Sequence, residues 1–334
     1  MGNRVQNMKR LCLSLRHYGA LVGICALLFA SCAKRSQNHI VSVLYAGSLA
    51  TVMENGLGPA FSKSTGFEFQ GEAQGSLGAA RMIHDHLRSP DVFISADPSV
   101  NEKVLMGSNN GELVTWFLTL ASSQLVLAYN PNSKFAPKFE AAASGTTPWY
   151  EVLKTPGLRF GRGDPRTDPK GYRTLFLFEL AAKHYQRPEL SVFLGDPINP
   201  EQVFPEVALL ARVQSGQTDC GIFYKHEVVA HKLPFVTFPP EINLSDPKFS
   251  ALYSHVSYMT PSGDIVTGAP ILFTITIPKT VAHKDSAEAF ARFLLSSNEL
   301  LKEFGFGIVD HRVGGDATQI PAGLRSFSAG KFEP

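Results

Sequence analysis

Cysteine is scarce in this 334-residue chain: Cys12, Cys25, Cys32 and Cys220 are all there are. Cationic charge is scarce too. The 31 Lys and Arg stand against 29 Asp and Glu, and four of the bases (Arg4, Lys9, Arg10 and Arg16) lie in residues 1–32, which hold no acid. Beyond residue 32 the balance is therefore 27 basic to 29 acidic groups, and no Lys/Arg run occurs. A nucleic-acid binder neutralises phosphates with a basic face, so no nucleic-acid partner is expected. The HExxH, GxSxG and GxxxxGK signatures are missing, which removes the common zinc-protease, hydrolase-elbow and nucleotide-loop readings. What the chain does have is 44% hydrophobic against 18% charged residues, enough apolar matter for a sizeable core, and a length that accommodates two domains.

The N-terminus reads as an address. Met1–Arg16 is basic, and Gly19–Ala30 is continuously apolar but short for a bilayer span. The run ends at Leu28-Phe29-Ala30-Ser31-Cys32, which resembles a bacterial lipoprotein signal. That resemblance implies cleavage before Cys32, a lipid on its thiol, a spacer over 33–39, and an exported protein anchored in the cell envelope, facing the periplasm or the outside. Ordinary signal cleavage nearby, with Cys32 incidental, is the alternative. Cys220 is then the one cysteine left, and the mature chain has no intrachain disulfide to form.

From residue 40 the pattern is α/β. Ile40–Ala46 (IVSVLYA) reads as a buried strand, and Gly47-Ser48 opens a helical stretch with Pro59 as its expected break. Gly66–Gly71 is a second strand, Gly75-Ser76 opens a second helix, and Asp91–Ala96 is a third strand. Further strands are expected at Leu125–Tyr129, Asp219–Tyr224 and Ile271–Ile277. Helices are expected at Gly171–Tyr185, Pro205–Ser215, Lys225–His231 and Asp285–Phe304. Asn130–Thr167 reads as irregular.

The paired Gly-Ser turns carry chemistry. A helix N-terminus offers unpaired N–H groups and partial positive charge, and a serine adds a hydroxyl. Two such ends on neighbouring parallel strands would converge at the carboxyl edge, where open α/β sheets bind ligands. The plain alternative is that Ser48 and Ser76 are N-caps only. Likewise Glu206 after Pro205 suits a helix start, Asp168 before Pro169 a turn, and Tyr224 a core strand end.

VLYAGSL (43–49), AFSKSTGFEFQGEAQGSLGAAR (60–81), SPDVFISADPSVNEKVL (89–105), DPKGYR (168–173), FPEVALLARVQSGQTDCGIFYK (204–225), FPPEINLSD (238–246) and the strand and helix over 270–304 together resemble the substrate-binding proteins of molybdate/tungstate ABC importers, in their tungstate-type subfamily. The resemblance implies a two-lobed class II periplasmic binding protein, each lobe a mixed sheet flanked by helices. Residues 40–124 with 256–334 would form lobe one, 125–255 lobe two, and the ligand would sit in the cleft. It implies ligand contacts from Gly47, Ser48 and Ser76, and from Asp168, Pro169, Lys170, Glu206 and Tyr224. Asp168 and Glu206 would approach the metal centre of the oxyanion and add two oxygens to its four oxo ligands. The partners implied are the small oxyanion, the permease subunits of an ABC importer, and a membrane through Cys32. The protein would act as a monomer and need no cofactor. The chain departs from the family at Cys220-Gly221-Ile222, where Tyr-x-Phe is frequent, and at Lys170, where Cys or Ala is common.

Other readings are weaker. His84-Asp85-His86 has metal-like letters, but i and i+2 face apart on a helix. Arg162-Gly163-Asp164 is a chance tripeptide. A serine hydrolase would use Ser48 or Ser76 with a base such as His184. Within binding proteins, sulfate, phosphate or a ferric ion held by Tyr224 are the alternative ligands.

Overall fold

A computed structural model describes residues 39–333; the expected leader over 1–32, with Cys12, Cys25 and Cys32, lies outside them. The early strands are β1 (Ile40–Ala46), β2 (Glu68–Gln74), β3 (Val92–Ser95) and β4 (Trp116–Ser122). Then come β5 (Leu125–Tyr129), β6 (Phe160–Gly163), β7 (Val203–Phe204), β8 (Cys220–Tyr224) and β9 (Phe235–Thr237). A hairpin, β10 (Ser257–Met259) and β11 (Ile265–Thr267), precedes β12 (Leu272–Thr276) and β13 (Val313–Gly315).

These strands build two mixed sheets. One is ordered β13-β4-β12-β3-β1-β2 and the other β7-β6-β8-β5-β9. In the first, β1 lies parallel to β2 and β3, while β12 runs antiparallel to β3 and β4. In the second, β6 is parallel to β7 and β8, and β5 is antiparallel to β8 and β9. The central strands are apolar runs because both their faces are covered: β3, β5 and β8 are buried at every residue.

The parallel segments matter most for function, because their carboxyl ends share one edge of each sheet. β1, β2 and β3 end at Ala46, Gln74 and Ser95, and the chain turns there into Gly47-Ser48, Gly75-Ser76 and Ala96-Asp97. β6, β7 and β8 end just before Asp168, Glu206 and the helix that follows Tyr224. Four helices start on these edges: α1 (Ser76–His84), α2 (Pro169–His184), α3 (Glu206–Gln214) and α4 (Lys225–Ala230).

Three expectations need correction. Pro59 does not end its helix: the helical run continues from Ala50 to Thr65 through a π-turn at Met53–Leu57 that lies directly before the proline. The helix expected over 285–304 is two, Lys284–Leu295 and Asn298–Glu303. The Ser297 hydroxyl bonds back to the Phe293 carbonyl, 2.7 Å, a serine competing with the helix ladder. The stretch 130–167 holds helices at Ala136–Ala143 and Trp149–Leu153 as well as β6. No helix among the described residues is long and apolar enough to cross a membrane.

Candidate functional site

Neither serine is a cap. Ser48 sits in a 3₁₀ turn whose N-cap is Ala46, and Ser76 is the first residue of α1, behind Gly75. Both are buried. The Ser48 Oγ has no hydrogen-bond partner, while the Ser76 Oγ accepts from the Ala96 N–H at 3.0 Å. The free N–H groups of α1 are less open to an anion than the sequence promised. Leu77 and Gly78 both donate to the Thr167 carbonyl at 3.1 Å, so this helix end ties the first sheet to the loop that carries Asp168.

Asp168 is the N-cap of α2: its Oδ1 accepts from the Lys170 N–H at 2.8 Å, and Pro169 occupies the first turn. The other oxygen, Oδ2, is buried without a partner. Burial first, then the charge of Glu206, push this carboxyl well above the ordinary aspartate range, against the pull of Lys170. Glu206 opens α3, and both its carboxylate oxygens are buried with no hydrogen bond. Lys170 Nζ stands 3.5 Å from Oε1. Each carboxylate is backed by a glycine with no room for a side chain. A Cβ on Gly47 would meet Glu206 Oε2 at 2.8 Å, and one on Gly163 would meet Asp168 Oδ2 at 2.6 Å.

Around this pair stands a buried frame. Lys170 Nζ donates to Glu227 Oε1 at 2.7 Å, and Glu227 Oε2 accepts from the Tyr224 N–H at 2.8 Å. Burial alone would lower the Lys170 pKa, but Glu227, Glu206 and Asp168 outweigh it, so the ammonium stays charged. Tyr224 is fully buried, and its hydroxyl accepts from Arg173 at 2.8 Å. Burial raises its pKa well above the ordinary phenol value, against the opposing pull of Arg173, so it is a neutral O–H. His226 is buried between Ser123, 3.1 Å from Nδ1, and the Ser48 carbonyl, 3.2 Å from Nε2. Burial and the nearby Lys170 drop its pKa to about 3, so it is neutral and anchors the Ser48 turn through its carbonyl.

The residues singled out in the sequence thus come together: Gly47, Ser48 and Ser76 from the first sheet, and Asp168, Pro169, Lys170, Glu206 and Tyr224 from the second. Lys170 enters through its side chain, a buried cation beside the carboxylates. His184 does not join them. It is exposed at the far end of α2, whose 16 residues at a 1.5 Å rise put it roughly 24 Å along the helix axis from Asp168. His84 pairs with Asp85 on the surface, and among the described residues no three His, Cys, Asp or Glu side chains group to hold a bare metal ion. The sequence reading missed Asp97, Arg173, His226 and Glu227. One signal was present: Lys170, Arg173 and Thr174 continue the buried stripe of Leu177 and Ala181, and charged residues on a core-facing stripe need buried partners. A surface depression of about 510 Å³ between Asn130, Arg159 and Asp219 lies elsewhere.

The fold is that of solved periplasmic binding proteins. The Azotobacter vinelandii periplasmic molybdate-binding protein superposes with a TM-score of 0.56 at 18% identity, over 80% of this chain and 99% of that one. Residues 41–307 match the family described as bacterial extracellular solute-binding protein, and the chain belongs to it. A Haloferax volcanii relative, named provisionally as an ABC transporter molybdenum-binding protein, is 35% identical over 280 residues, 84% of this chain and 85% of its own. The molybdate/tungstate-binding protein of Thermococcus kodakarensis is 28% identical over 279 residues, 76% of this chain and 77% of its own.

Proposed function

We propose that this protein captures tungstate or molybdate outside the membrane and delivers it to the permease of an ABC importer. The observation that carries the reading is the trio of buried carboxylate oxygens that accept no hydrogen bond, Asp168 Oδ2 and both of Glu206, together with the buried Ser48 Oγ, which has no hydrogen-bond partner either. Two carboxylates repel an anion by Coulomb's law unless they reach its positive centre. A heavy hexavalent metal can take two further oxygens beyond its four oxo ligands; the sulfur of sulfate cannot. The same pair that completes the coordination of tungstate therefore discriminates against the abundant sulfate. Ser48, Ser76 and Tyr224 donate to the oxo groups, and Lys170 offsets the accumulated negative charge. The names of the Haloferax and Thermococcus relatives support the same ligand class.

The two sheets are the cores of two lobes, 40–124 with 256–334 and 125–255, which close on the ligand. Residues 1–32 are a leader, 33–39 a spacer, and a lipid on Cys32 tethers the monomer to the envelope. Cys32→Ser then leaves soluble or unprocessed protein in a membrane fractionation; unchanged membrane association with an unmodified thiol would end the tether. The ligand is tested by calorimetric titration with tungstate, molybdate, sulfate and phosphate. Tight binding of the first two alone is expected, and binding of sulfate or phosphate in their place would overturn the reading.

A further inference from the structure

Arg173 is buried in the first turns of α2 and belongs to no contact so far given to the ligand. Its Nη1 donates both to the Ala96 carbonyl, 2.6 Å, and to the Tyr224 hydroxyl, 2.8 Å. Its Nη2 donates to Asp97 Oδ2 at 2.8 Å, and the same oxygen accepts from the Tyr172 hydroxyl at 2.7 Å. The N–H of Ala96 in turn donates to Ser76 Oγ at 3.0 Å. One continuous chain of hydrogen bonds therefore runs from Tyr224 through Arg173 and Ala96 to Ser76. Tyr224 ends a strand of the second sheet, and Ala96 and Asp97 follow a strand of the first.

The direction of each bond is fixed by chemistry. A guanidinium and a backbone N–H can only donate, whereas a hydroxyl has one hydrogen and acceptor lone pairs. Tyr224 and Ser76 must therefore both accept from this chain, and each keeps its own hydrogen for another acceptor. Both side chains are fully buried, where an O–H without an acceptor is costly. An oxyanion offers acceptors only.

We propose that Arg173 is a positioning residue. It turns Tyr224 directly, and Ser76 through Ala96, into hydrogen-bond donors toward the oxyanion, and it does so only while Asp97 and Ala96 are held against it across the two sheets. The inference rests on the oxyanion reading above and adds a coupling: closure of the sheets and donor orientation are one event.

A double-mutant cycle between Arg173→Met and Tyr224→Phe, read as tungstate dissociation constants with ligand-free melting curves as folding controls, tests it. The Phe change removes a charged-acceptor hydrogen bond and is expected to weaken wild-type binding about tenfold or more. In the Arg173→Met background the unheld hydroxyl no longer points at the ligand, and the same change is expected to cost less than about threefold. A residue that acts through general stability alone would leave the Phe penalty equal in both backgrounds, and that result overturns the inference. Should Arg173→Met not melt cooperatively, the cycle is run with Arg173→Met in an Asp97→Asn background, which leaves no buried charge unpaired, supplies no donor to Tyr224 from position 173, and carries the same two outcomes. Wild-type protein that binds neither tungstate nor molybdate would overturn this inference together with the function; tight wild-type binding with an additive cycle would overturn this inference alone.

Discussion

Gly47 and Glu206, one from each sheet, approach so closely that a Cβ on the glycine would stand 2.8 Å from Glu206 Oε2. The contact falls on the far end of a flexible side chain, so an added methyl displaces the carboxylate and leaves the backbone in place. Gly47→Ala is expected to weaken tungstate binding about tenfold or more, the scale of one charge-assisted interaction. The ligand-free melting temperature should move by less than about 4 °C, less than 1 kcal/mol for a chain of this size. Calorimetry and a thermal melt check both, and unchanged affinity would remove Glu206 from the site.

The two serines should separate in their effects. Ser48 Oγ has no protein partner, so Ser48→Ala loses ligand contact alone: weaker binding and an unchanged melting temperature. Ser76→Ala also strips the acceptor from the buried Ala96 N–H, which costs about 1–3 kcal/mol of stability. Chemical denaturation of the two variants without ligand reads the difference directly.

Lys170 is the cation on which Glu227 and Glu206 depend. Lys170→Met leaves buried carboxylates uncompensated and should cost about 3–5 kcal/mol. Adding Glu227→Gln should recover much of that stability without restoring affinity, because the positive charge near the oxyanion is still missing. Recovery of full affinity by the double variant would show that Lys170 serves the frame and not the ligand.

Asp91 fixes how stability responds to acid. It accepts from Ser42 N–H and hydroxyl, from the Ala282 and His283 N–H groups, and from the His283 ring at 2.8–3.1 Å. Burial works to raise its pKa, but the donors of Ser42 and His283 prevail and hold it below the ordinary aspartate value. A depressed folded-state pKa contributes stability that is complete above the unfolded value, near 3.9, and is lost as pH falls through the folded one. Asp91→Asn should therefore cost about 2–3 kcal/mol at pH 7, and the gap to wild type should close below about pH 4. A gap that stays constant down to pH 2 would contradict this.

The parallel strands and their Gly-Ser turns were legible because apolar runs and glycines are local signals. The helices at Ala136–Ala143 and Trp149–Leu153 were not, being short and set among prolines and glycines, and the break at Ser296-Ser297 turns on a side-chain competition that periodicity does not register. The positions of Ser48, Ser76, Asp168, Glu206 and Tyr224 could be named from motifs. Their frame could not: Lys170 meets Glu227 across 57 residues and Arg173 meets Asp97 across 76, pairings that only the assembled sheets create.

On the proposed function, Asp168 and Glu206 bind the metal of the oxyanion rather than merely surrounding it. X-ray absorption at the tungsten edge, on the wild-type complex and on Asp168→Asn with Glu206→Gln, measures that coordination directly. Six oxygens are expected around tungsten in the wild type, two of them longer than the other four, with loss of the longer pair together with tight binding in the variant. Four equal short oxygens in the wild type, with the variant binding tungstate as tightly, would contradict it and leave a tetrahedral anion held by Ser48, Ser76 and Tyr224 alone.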